Sequence, residues 1–172
     1  MTDEQGRPLP PYAGTEKDTA VGFLDFLRAT VTWKTDGLDA EQLAQQHPPS
    51  SMTLGGLLKH LAFVEDWWFS HRFLGERREP WASVDWRAQP DWDWDTAADH
   101  DPDELRALWR DAVDRSRATV AEADLDTQAT SPLRDGSYVS LRWIVLHMIE
   151  EYARHAGHAD LIRESIDGLT GE

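Results

Sequence analysis

Four ionisable side chains near the end of the chain have the spacing of a site on one face of a helix. Glu151 and His155 are four residues apart, so on a helix they are neighbours that can bind one metal ion together. With about 100° of rotation per residue and Glu151 as the origin, His155 lies at about +40°, His147 at about −40° and His158 at about −20°. The spacing therefore places all four groups within a narrow stripe.

The same stripe is apolar. Ile144 and Ile162 both fall at about +20° on this helix, and such residues normally face the core. Burying the ionisable groups without partners would be costly in free energy. A divalent metal ion is one way to satisfy them, and a buried hydrogen-bonded network around Glu151 is the alternative.

A third ligand has to come from another helix, because helical bundles build metal sites from side chains that project inward from facing helices. His60 is the best candidate, since Leu57 and Val64 flank it on an apolar face. His71 lies three turns further along, about 16 Å away, and cannot bind the same ion. The remaining histidines, His47 and His100, fall in predicted loops.

Four helices are predicted to position these residues, over about 16–34, 53–74, 102–123 and 140–165. Thr15 is the expected N-cap of the first. Asp101, Pro102 and Glu104 form a capping-box start for the third. We expect a flexible segment at 1–14 and one helical bundle over 15–168.

The connections predict the topology. Residues 75–100 form a crossover long enough to carry the chain back along the bundle, so the second and third helices are expected to run parallel. The predicted fold is an all-α four-helix bundle with up-down-down-up topology. The crossover is rich in tryptophan, and it has four interpretations: a satellite hydrophobic cluster, a wall or lid of a binding site, a subunit contact, or an aromatic cage for a cationic ligand. Its tryptophans are Trp81, Trp86, Trp92 and Trp94.

Composition excludes several kinds of function. The chain of 172 residues has no cysteine, which rules out disulfides, thiolate metal ligands and a thiol nucleophile of its own. Its net charge of −15 opposes binding to nucleic acids and to anionic membranes. No signal peptide or membrane span is recognisable, so a soluble cytoplasmic protein is expected.

The chain resembles the DinB-like superfamily. The resemblance rests on three phrases: Thr53-Leu-Gly-Gly-Leu-Leu-Lys-His60, Ser140-Leu-Arg-Trp-Ile-Val-Leu-His147, and Glu151-Tyr-Ala-Arg-His155-Ala-Gly-His158-Ala-Asp-Leu-Ile-Arg-Glu. They are similar to an actinobacterial branch called mini-circle proteins, and the His, Glu, His set resembles the N-terminal domain of mycothiol-dependent maleylpyruvate isomerase.

The resemblance implies a metal site formed by His60, Glu151 and His155. His158 and His147 would hydrogen-bond to a ligand or replace one. Zinc is the default metal for these ligand types, with nickel and iron as alternatives. A homodimer is also implied by the superfamily.

The resemblance further implies a metal-dependent enzyme that transfers a low-molecular-weight thiol, such as mycothiol, to a small electrophile. Arg154, at about −60° on the last helix, is the candidate for an anionic group of that cofactor, whereas Arg163, at about +120°, is predicted to lie on the surface. The general base is unassigned. Two alternatives stay open: a metal-dependent hydrolase, and a non-catalytic module that binds through its tryptophan-rich surface.

Overall fold

The protein is all-α, as predicted. The computed structural model describes residues 1–171, and within them it contains helices and isolated bridges but no strand. The α-helices are α1 (Glu16–Thr35), α2 (Ala40–Leu43), α3 (Leu54–Glu65), α4 (Trp92–Asp95), α5 (Pro102–Glu122) and α6 (Leu141–Asp167). None of the described helices has both the length and the apolar character needed to cross a bilayer.

The helix starts follow from local capping. The Thr15 side chain accepts a hydrogen bond from the backbone N–H of Asp18 at the start of α1. At α5, Asp101 and Glu104 form the expected capping box, with Pro102 in the first turn. These contacts satisfy N–H groups that have no partner inside a helix, and they confirm the predicted starts.

The second predicted helix is not a single α-helix. It is α3 followed by a π-helix over Asp66–Leu74, which ends at Gly75 with φ +78°. In a π-helix each N–H bonds five residues back rather than four. The spacing of apolar residues cannot distinguish an α-helix from a π-helix over so short a stretch. The predicted extent of the helix was therefore correct, but its second part is a π-helix and not an α-helix.

The chain divides into two compact units. In the first, formed by residues 1–54 and those from 145 onward, α1 and α6 run parallel. Arg28 lies 6.0 Å from the Tyr152 ring, and further along both helices the Arg163 guanidinium donates to the carbonyl of Lys34 at 3.2 Å. The order of the contacts is the same on both helices, so both point the same way.

The second unit, residues 55–144, contains the other parallel pair. Lys59 on α3 contacts His100, just before α5, and Asp66 in the π-helix pairs with Arg115 on α5. These contacts also advance in the same direction along both helices. Helices α1 and α6 are thus parallel within the first unit, and α3 and α5 are parallel within the second. Both pairs are those expected for up-down-down-up topology.

The crossover between the π-helix and α5 is folded, and a buried lysine anchors it. The Lys59 ammonium donates to the carbonyl of Thr96 at 3.2 Å, lies 3.0 Å from Nε2 of His100, and lies 3.9 Å from the centre of the Trp92 ring. Burial lowers the pKa of Lys59, an effect that Asp99 and Asp93 oppose. The lysine thus ties the crossover to α3 beside His60.

The expected flexible segment, 1–14, contains one buried side chain. Arg7 donates a hydrogen bond to the hydroxyl of Thr30 at 3.0 Å and lies 4.4 Å from the Phe26 ring centre and 5.0 Å from that of Trp33. Its charge is balanced by Asp3. These contacts fix Arg7 against α1.

Candidate metal centre

His60 is held by the crossover. Its Nδ1 lies 2.7 Å from Oδ2 of Asp93 on α4, and its ring stacks on Trp94 at 4.7 Å. Asp93 is only 3% exposed. A carboxylate on one imidazole nitrogen fixes the ring and keeps the proton on that nitrogen, so the lone pair of His60 lies on Nε2.

Glu151 and His155 are neighbours on α6, as their spacing predicts. Nε2 of His155 lies 3.5 Å from Oε1 of Glu151, and the His155 side chain is buried. On the other side of the ring, Nδ1 of His155 lies 3.4 Å from Nδ1 of His158. One ring nitrogen of His155 therefore faces the carboxylate and the other faces a second imidazole.

His158 suits a role in orienting His155. Burial lowers the pKa of His158, and the nearby charges of His155 and Arg154 lower it further. A neutral imidazole has one nitrogen that accepts a hydrogen bond, so His158 can take the N–H of His155. This arrangement would direct the lone pair of His155 Nε2 toward Glu151.

One group of three potential metal donors occurs among residues 1–171. His60, Glu151 and His155 each offer one donor atom, and the three atoms lie within 4.8 Å of one another. These are the three residues predicted as ligands from the sequence.

The donor set suits a divalent transition metal. Imidazole nitrogen and carboxylate oxygen bind zinc at about 2.0–2.2 Å, so two donors on a tetrahedral ion lie roughly 3.5 Å apart. Nε2 of His155 and Oε1 of Glu151 already have this separation, 3.5 Å, and side-chain rotation can bring in a donor that lies up to 4.8 Å away. Two imidazoles and one carboxylate also leave a coordination position for a substrate.

The other predicted residues have separate surroundings. Nδ1 of His147 lies 3.7 Å from Oε2 of Glu150, and this histidine is not in the group of three. Arg154 is exposed and pairs with the same Glu150. The structure thus gives Arg154 a carboxylate neighbour on its own helix.

The prediction for Arg163 was wrong. It is 9% exposed and donates to the carbonyls of Lys34 and Asp36 and to the carboxylate of Asp167. The carbonyls at the end of α1 lie over the face of α6 that carries Arg163, which helical phase alone cannot reveal. Arg163 therefore links the C-terminal end of α6 to the C-terminal end of α1 through hydrogen bonds.

Sequence reasoning missed Asp93. It lies between Trp92 and Trp94, and the nearest aspartates on either side, Asp91 and Asp95, are exposed. No helical period marks this stretch, and the partner of Asp93 is 33 residues away. The one available signal was its place between two tryptophans, which are highly buried on average in folded proteins.

Comparison with known proteins agrees with the resemblance. Residues 19–168 match the model of a family described as mycothiol-S-transferase, which is consistent with the DinB-like superfamily. No curated protein matches the chain.

Proposed function

Because the chain belongs to the mycothiol-S-transferase family, we propose that it transfers a low-molecular-weight thiol, mycothiol or a close analogue, to a small electrophile. We propose further that it does so with one divalent metal ion held by His60, Glu151 and His155. The observation that carries the proposal is the grouping of their three donor atoms within 4.8 Å.

When bound, a divalent ion supplies the Lewis acidity that lowers the pKa of a thiol. The chain supplies the rest. Asp93 keeps the His60 proton on Nδ1, and His158 can do the same for His155. Glu151 contributes one negative charge, so two neutral imidazoles and a carboxylate leave a dipositive ion with net positive charge toward an incoming sulfur.

The transfer itself needs no nucleophile from the protein. The electron pair of the thiol sulfur forms the new bond to carbon. The electrons of the bond that breaks go to a leaving group or to the neighbouring atom of an unsaturated electrophile, and the thiol proton passes to water. The lack of cysteine in the chain accords with a sulfur that arrives on the cofactor.

Metal content tests the ligand assignment. Untagged protein is purified, and bound metal is measured by inductively coupled plasma mass spectrometry for the wild type, His60→Ala and Glu151→Gln. His47→Ala is the matched control, because His47 is outside the group of three donors. We expect near-stoichiometric metal in the wild type and the control and strong loss in the other two. Equal trace metal in all four proteins would refute the assignment.

Adduct formation tests the reaction. Metal-loaded protein is incubated with mycothiol and an alkyl halide, an epoxide or an enone, and thioether products are followed by mass spectrometry. We expect formation to depend on both protein and metal. Turnover of ester or amide substrates by metal-loaded protein, with no thioether product, would favour the hydrolase alternative. Metal binding without any turnover would favour the non-catalytic module.

A further inference from the structure

A cavity lies in the unit formed by residues 55–144, and none of the proposed metal ligands lines it. It has a volume of about 250 Å³, and the side chains of α3, the π-helix and the crossover line it. Its aromatic walls are Phe63, Trp67, Trp81 and Trp86.

The aromatic walls are held together by contacts among themselves. Phe63 stacks on Trp86 at 4.4 Å and lies 5.4 Å from Trp81 and 5.7 Å from Trp67. The indole N–H of Trp86 donates to the carbonyl of Trp81, which fixes its ring. A cavity of this size with flat aromatic walls suits one planar ring system.

The carboxylate in the cavity wall is already neutralised. Asp66 accepts two hydrogen bonds from the Arg115 guanidinium, at 2.9 and 3.0 Å, and one from the indole N–H of Trp81 at 3.0 Å. It therefore offers little attraction to a cation, and an anion in the cavity would not meet an uncompensated negative charge.

Two arginines line the cavity, and within residues 1–171 only one of them is paired with a carboxylate. Arg78 pairs with Glu76, but Arg77, which also lines the cavity, has no ion-pair or hydrogen-bond partner in the described part of the chain. In a protein of net charge −15, an unpaired guanidinium beside an aromatic cavity favours an anionic ligand. This charge pattern disfavours the cationic ligand considered in the sequence analysis.

One polar atom in the lining lacks a partner. Nδ1 of His71 is buried without a hydrogen bond, and burial, together with Arg72 and Arg77, lowers the pKa of the imidazole. A buried nitrogen without a hydrogen bond is rare in folded proteins, and this one belongs to a side chain that lines the cavity.

We propose that this cavity binds a small planar aromatic carboxylate, with its ring between the tryptophan and phenylalanine side chains and its carboxylate on Arg77. A carboxylate matches the planar fork of a guanidinium, and a single negative charge matches the single unpaired arginine. None of the proposed metal ligands lines the cavity, so this binding does not depend on the proposed transferase activity.

Calorimetric titration of the full-length, metal-stripped protein tests the proposal, with three probes. 1-Naphthoate has the ring and the charge, 1-naphthalenemethanol has the ring without the charge, and cyclohexanecarboxylate has the charge without a flat ring. We expect naphthoate to bind about tenfold more tightly than either of the others, since charge-assisted hydrogen bonds and ring stacking each contribute about that factor.

Two arginine variants locate the anion site. Arg77→Gln is expected to weaken naphthoate binding about tenfold and to remove its advantage over the alcohol. Arg87→Gln is the matched control, because Arg87 is an exposed arginine of the same crossover that does not line the cavity. Both variants alter exposed side chains, and circular dichroism checks that they fold.

Three results would overturn the proposal: equal affinity for naphthoate and the alcohol, equal weakening by the two variants, or no saturable naphthoate binding at millimolar concentration. Because the protein carries no metal in this experiment, failure here leaves the transferase proposal standing. Success here likewise gives that proposal no support.

Discussion

Oδ2 of Asp93 lies 2.7 Å from Nδ1 of His60, so a residue of the crossover fixes the tautomer of a proposed metal ligand. The contact joins α4 to α3 over 33 residues of sequence. It gives the crossover a chemical role in addition to its role as a connection.

Replacing Asp93 with asparagine is expected to lower metal affinity about 10- to 100-fold, the usual effect of losing a carboxylate that supports a histidine ligand. Affinity is measured by competition with a chromophoric chelator. Asp95→Asn is the matched control, because Asp95 is an exposed carboxylate on the same short helix. If the two variants bind metal equally well, the Asp93 contact is only structural.

Arg163 is expected to contribute more to stability than any exposed arginine. Arg163→Met removes hydrogen bonds to the carbonyls of Lys34 and Asp36 and should lower the free energy of unfolding by about 2 kcal/mol or more. Arg154→Met is the control, and it should cost less than about 0.5 kcal/mol because Arg154 is exposed and pairs within its own helix. Urea denaturation measures both, and equal effects would contradict the structural role of Arg163.

His71 is expected to make stability depend on pH. Burial lowers its pKa in the folded protein below the ordinary value of 6.5, so the unfolded chain takes up a proton that the folded protein does not. The free energy of unfolding should therefore fall as pH drops through about 6.5, and it should recover as pH rises.

Other groups also titrate in this range, so the pH dependence of the wild type is compared with that of His71→Gln, which lacks the imidazole. We expect the wild type to lose more stability than this variant between about pH 7.5 and about pH 5.5, measured by urea denaturation at each pH. Parallel curves for the two proteins would show that His71 titrates as it does in the unfolded chain.

Local signals predicted the long helices well because their starts are set by short-range hydrogen bonds. The capping box at Asp101 and the Thr15 cap are complete within four residues of sequence. Spacing on one helix likewise predicted that Glu151 and His155 are neighbours.

What the sequence did not predict depends on contacts between distant residues. Lys59 is buried beside Thr96 and His100, which accept its hydrogen bonds, and Asp93 is found only through its contact with His60. The short helix α2 has four residues, fewer than the apolar period needs for detection. The π-helix is distinguished from an α-helix by its backbone bonding alone.

The neighbouring positions of Lys59 and His60 have a consequence for how such proteins diversify. Lys59 anchors the crossover, and Asp93 of the crossover pairs with His60. Exchanging the crossover for one of another sequence would therefore change the surroundings of the His60 imidazole while every proposed ligand stayed the same. Relatives with identical ligands but different crossovers are then expected to differ in metal preference, and grafting this segment offers a way to alter the centre from outside it.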